Sequence, residues 1–101
     1  MIHVLASIRV KAGGVPAFLE IFKANVPNVV KEKGCIAYAP AVDIAADLPP
    51  QVLDEHVVTV IEKWESLQAL QDHLQAPHML SYREKVSDLV EEVSLKVLTE
   101  A

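Results

Sequence analysis

At 101 residues and a formal net charge of -5, the chain has room for one domain with one modest core. No run of Lys or Arg exceeds two neighbours, so the basic footprint of a nucleic-acid binder is missing. The single cysteine, Cys35, excludes an intrachain disulfide and a thiolate metal cluster.

The segment "MIHVLASIRV" alternates Ile2, Val4, Ala6, Ile8 and Val10 with His3, Ser7, Arg9 and Lys11, which predicts a strand. It lacks the basic start and unbroken apolar run of a signal peptide, and no stretch approaches the roughly 18 apolar residues of a membrane helix. A cytoplasmic protein is expected. After "AGG", Val15, Phe18, Leu19, Phe22, Val26, Val29 and Val30 fall on one stripe of an amphipathic helix. Pro16 suits its first turn, Pro27 is expected to kink it, and Gly34 is expected to close it in the left-handed position.

"CIAYAPAVD" predicts a second strand, placed at a sheet edge by Pro40. "IAADLPPQVLD" is a polar loop, and "EHVVTVIEKW" a valine-rich third strand. Ser66 is suited to cap a short helix with Leu67, Leu70 and Leu74. Pro77 ends it and opens another, along which Met79, Tyr82, Val86, Leu89 and Val93 step by three and four. "VSLKVL" alternates again as the last strand. The order is β-α-β-β-α-β with the second helical unit split at Pro77, an α+β ferredoxin-like arrangement with helices on one face of an antiparallel sheet. Hydrophobic residues make up 51% of the chain and aromatics only 5%. Such a surplus of small apolar side chains predicts a homodimer in which two open sheet faces meet, with "VSLKVL" contributing.

Four short pieces carry a resemblance: "HVLASIRVKAG", "EKGCIAY", "VIEKWES" and "HLQAPHM". In their order and spacing the chain resembles the antibiotic biosynthesis monooxygenase family, small dimeric α+β barrel proteins that include cofactor-free quinol and anthrone monooxygenases. Glu62, Trp64 and His78 match the family's E-x-W and following histidine, and Gly34, Cys35 and Tyr38 match its Gly-Cys-x-x-Tyr. The resemblance implies a single domain over residues 1–101, no organic cofactor, and a small aromatic or quinol-like substrate oxidised with O₂. A haem-degrading branch shares the Trp and His but typically has Asn near the end of the first strand, where this chain has Ser7. The loop "DIAADLPPQVLDEH" is longer than the family's tight turn and is expected to cover one end of the site.

His78 is the candidate base. It stands in the first turn of the last helix, where the helix dipole disfavours imidazolium, and a neutral imidazole there can take a proton from a phenol. The other reading is a histidine that merely covers a helix start. Trp64 either walls a pocket for a planar ligand or packs under the helices. Tyr38 either enters the same space or closes the sheet edge. Tyr82 shares the His78 face one turn on. Trp64, Tyr38, Tyr82 and Glu62 are thus the substrate-binding candidates. His73, in the last turn of its helix, is expected to be the more basic histidine, with a surface or capping role. A metal pair of His73 and His78 is disfavoured by their five-residue spacing. His3 and His56 read as structural strand residues, Arg9 and Lys11 as solvated, and Cys35 as a buried small hydrophobe. No phosphate loop or flavin or nicotinamide fingerprint is present. Three functions fit these residues: a cofactor-independent monooxygenase, a non-catalytic small-ligand-binding or stress-related dimer, and a haem-binding or haem-degrading protein.

Overall fold

Alternation in the first strand decides the layering. In the computed structural model, which describes residues Met1–Ala101, β1 runs Ile2–Val10, and its Val4, Ala6, Ile8 and Val10 are buried under the helices. Leu5 points to the opposite, open face and is exposed. The chain continues with α1 (Val15–Val30), β2 (Cys35–Val42), β3 (Val57–Trp64), α2 (Leu67–Leu74), α3 (Pro77–Val86) and β4 (Val90–Leu98). The four strands form one antiparallel sheet in the order β2-β3-β1-β4, with β2 at an edge as Pro40 requires. This is the expected α+β ferredoxin-like arrangement. No helix is long and apolar enough to cross a membrane.

The α1 stripe buries Phe18, Phe22 and Val29, while Val30, the last residue of the helix, is exposed. Pro27 lies inside the helix without ending it. Gly34 does have a left-handed φ of 87°, but it stands beyond the helix cap Lys31, in the turn into β2. A side chain there is doubly opposed, because a Cβ would come within 2.6 Å of the Ala69 Cβ. Ser66 caps α2 as its side chain predicts, accepting from the Ala69 backbone N–H at 3.1 Å.

The final strand differs most from expectation. Val90 already begins β4, so Leu89 and Val93 are not part of the last helix, which stops at Val86. The apolar positions of "VSDLVEEV" (86, 89, 90 and 93) follow a helical spacing, and pairing with β1 overrides it from Val90 onward. Val93, Leu95 and Val97 lie opposite Ile8, Ala6 and Val4, on the helix side of the sheet, yet no helix reaches them and each is about half exposed. Arg9 is not simply solvated. Its guanidinium donates to Asp54 at 2.7 Å and ties the end of β1 to the 43–56 loop. His56 lies in the turn before β3 rather than on the strand.

Candidate active site

On β3 the helix-facing positions are Val58, Val60, Glu62 and Trp64, all buried. Strict alternation therefore carries a carboxyl group into an otherwise apolar row. Glu62 is only 7% exposed and faces Tyr38 of β2 across the ladder. Its Oε1 accepts the Trp64 indole N–H at 3.0 Å. Trp64 itself is fully buried beneath α2, so its N–H serves Glu62 and its ring serves the core. Burial pushes the Glu62 carboxyl up to about 7, and the Trp64 hydrogen bond only partly opposes that shift. An ionisable group held near neutrality in a cleft is a candidate acid–base centre.

Glu62 opens into a cavity of about 490 Å³ between the helix layer and the sheet, twelve of whose sixteen lining residues are hydrophobic. Phe22 and Met79 form part of its walls. Val93 and Leu95 stand at its β4 side, where they are half exposed and mark the mouth. Tyr38 and Tyr82 both line it, with Phe22 stacked on Tyr38 at 5.3 Å and set edge-on to Tyr82 at 5.7 Å. Burial raises both phenols far above their ordinary value, so they remain protonated donors.

His73 also lines this cavity, and that corrects the expected roles of the two histidines. It is 1% exposed and packs on the Trp64 ring with centroids 4.6 Å apart. Burial lowers its pKa, the reverse of the expected basic surface histidine. The helix C-terminus offers an imidazolium only about 0.3–1 kcal/mol, less than the loss of hydration removes. His78 does not reach the cavity or Trp64. It borders a separate polar hollow between α1 and α3, where Asn25, Asn28 and Lys85 also lie. Its Nε2 sits 2.8 Å from Glu32 Oε2, and the same oxygen is 2.8 Å from His73 Nδ1.

Of the sequence candidates, the fold therefore gathers Glu62, Tyr38 and Tyr82 around one cavity, sets Trp64 behind Glu62, and joins His78 to the group through Glu32 and through Tyr82, which borders the polar hollow as well. The 43–56 loop contributes no lining residue, contrary to the expected cover. His73 was legible in part, since Ala69, Leu70 and His73 share one helical face and all three are buried. Glu32 carried no sequence signal, because it lies in a turn and meets partners 41 and 46 residues away. Glu62 Oε2, His73 Nε2 and the hydroxyls of Tyr38 and Tyr82 have no protein partner. No buried side-chain polar atom is sealed off unpaired, so these four tips are open to a ligand or water, and the residues that carry them all line the cavity.

Comparison with known proteins bears on what such a cavity serves. The model of a family described as "Antibiotic biosynthesis monooxygenase" matches residues 1–85. The Escherichia coli K12 protein named "Probable quinol monooxygenase YgiN" is 42% identical over 100 residues, covering 97% of this chain and 96% of that protein. A protein of the same name from Shigella flexneri matches equally. Among solved structures, a conserved protein of Methanosarcina mazei superposes with a TM-score of 0.83 at 22% identity, over 99% of this chain and 92% of the other. A Pseudomonas aeruginosa protein gives 0.82 at 24% identity, over 99% and 93%. These two likenesses speak for the fold alone.

Proposed function

This chain belongs to the antibiotic biosynthesis monooxygenase family, and on that premise we propose that it oxidises a quinol with O₂ in the cavity beside Glu62. The observation that carries the reading is a buried carboxyl, poised at about 7, facing an apolar space large enough for a bicyclic aromatic ring. One quinol hydroxyl gives its proton to Glu62 Oε2. The resulting quinolate is electron-rich and passes one electron to O₂; the radical pair joins at a ring carbon to give a peroxide. Glu62 returns the proton to the peroxide. Removal of the proton on that carbon, with loss of water, leaves a hydroxyquinone. Quinol and O₂ become hydroxyquinone and water, so atoms balance and all electrons come from the substrate. The protein's part is a dry cavity, a base, and phenol donors in Tyr38 and Tyr82 that stabilise developing oxyanions. His78, the base favoured by sequence, acts in this reading through Glu32 rather than on the substrate.

Oxygen-electrode assays with 1,4-dihydroxynaphthalene are expected to show uptake well above autoxidation, with one hydroxynaphthoquinone formed per O₂. Uptake equal to the protein-free rate across a panel of quinols overturns the proposal and favours a ligand-binding role.

The working unit in this reading is a homodimer. The support is Leu5, Ile61 and Leu98, which stand exposed on the open sheet face. A standard interface hides roughly 800 Å² per partner. Sedimentation at micromolar concentration is expected to give a species of twice the chain mass, and a stable monomer would refute this.

A further inference from the structure

We propose that Glu32 and His78 are positioning residues that lock His73 into a single tautomer, so that its Nε2 accepts a hydrogen bond from a phenolic hydroxyl and the cavity prefers quinols to hydroxyl-free rings. The inference deepens the quinol reading and rests on it for the identity of the ligand.

The geometry starts from one oxygen. Glu32, in the turn after α1, places Oε2 at 2.8 Å from His73 Nδ1. A neutral imidazole carries one N–H, and a carboxyl oxygen at that distance draws it to Nδ1, leaving a lone pair on Nε2. The ring has little freedom to do otherwise. The indole of Trp64 lies against it at 4.6 Å, and Tyr38 meets it at 5.4 Å with planes 66° apart. With Nδ1 committed to Glu32 and no protein donor at Nε2, the acceptor is left for whatever occupies the cavity that His73 lines.

His78 supplies the second hold. Glu32 stands in a turn, so a single hydrogen bond leaves its carboxyl free to swing. His78 Nε2, on α3, contacts the same oxygen at 2.8 Å, beside the contact from His73 on α2. The five-residue spacing of the histidines and the break at Pro77 now have a joint consequence. They let the end of one helix and the start of the next converge on one carboxyl oxygen, which neither helix alone could do.

The array adds a second acceptor to the one that Glu62 offers, and so sharpens the preference for ligands that bring hydroxyls. Tyr38 and Tyr82 are donors and suit carbonyl and hydroxyl oxygens alike. A fixed imidazole acceptor is satisfied only by a ligand that brings a hydroxyl, and a buried acceptor left without one weakens binding. Quinols meet that condition twice, and simple quinones not at all.

The test uses the full chain labelled with ¹⁵N-histidine, with 2-naphthol as a redox-inert hydroxyl probe and naphthalene as its hydroxyl-free control. Long-range ¹H–¹⁵N spectra of the wild type are expected to show His73 protonated at Nδ1, with Nε2 shifting on addition of 2-naphthol and not of naphthalene. Glu32→Ala is expected to populate the other tautomer and cut the preference for 2-naphthol about tenfold. Glu32→Gln, whose carbonyl still accepts from Nδ1, restores much of it, and His78→Ala shifts both readouts partway. Wild-type His73 protonated at Nε2 overturns the proposal without recourse to any variant. So do folded Glu32→Ala and His78→Ala variants with unchanged tautomer and preference. If the tautomer and preference are as expected but no quinol drives O₂ uptake, the oxygenase reading fails and the acceptor stands.

Discussion

Glu62→Gln is expected to lower kcat for quinol oxidation by on the order of 10²–10⁴, the usual cost of losing a general base. The amide keeps the size of the side chain and can still accept the Trp64 N–H, so the loss reports the proton chemistry rather than the packing. In the wild type the base must be ionised, so activity should rise with pH through about 7 and then level off; the variant should lack that limb. Stability supplies a second, substrate-free reading. The folded carboxyl is raised from an ordinary value of 4.5 to about 7, so between those pH values the native state holds a proton that the unfolded chain has released. Native stability should therefore fall as pH rises across that window, by roughly 3 kcal/mol, and the contribution should be constant above it. Glu62→Gln should remove the fall and be the more stable protein at pH 8. Oxygen uptake and thermal melts from pH 4 to 8 check both halves. Unchanged kcat in a folded variant would remove Glu62 from the mechanism.

Trp64→Ala is expected to cost about 3–5 kcal/mol of stability, the range for emptying a fully buried indole site. For a domain of this size that lowers Tm by more than about 10 °C, compared at fixed protein concentration because association would shift the melt. Two further consequences follow from its contacts. Glu62 loses the one donor that opposes its burial, and His73 loses the surface it packs on. Trp64→Phe separates these effects. It keeps most of the ring, so the stability loss should be much smaller, while the missing N–H should move the rise of activity to higher pH. A Trp64→Ala protein that melts within about 2 °C of the wild type would contradict the packing assigned to this residue.

The strands and helices could be read along the chain because each buries one face against the same layer. Period two in β1 and β3, period 3.6 in α1, and the punctuation at Ser66 and Pro77 are local consequences of that burial. The exception is "VSDLVEEV", whose apolar spacing is helical and where hydrogen bonding to β1 nevertheless selects the strand. Glu62 was readable in the same way, as a charge standing on the apolar parity of a strand, and Trp64 and Tyr38 were readable as large side chains on that parity. The family resemblance was equally present in the chain itself.

The histidines were decided otherwise. Local electrostatics in "QDHLQAPHM" favour a charged His73 and a neutral His78, and those effects are small, about 0.3–1 kcal/mol at a helix end. What determines His73 is burial against Trp64, a residue nine positions earlier on another element, and loss of hydration outweighs the helix end. What His78 touches is Glu32, 46 residues away on a turn without any pattern. A sequence determines by itself whatever follows from its own periodicity. The partner of a buried polar group is chosen by whichever distant side chain the packing brings within hydrogen-bond reach, and that choice belongs to the tertiary structure alone.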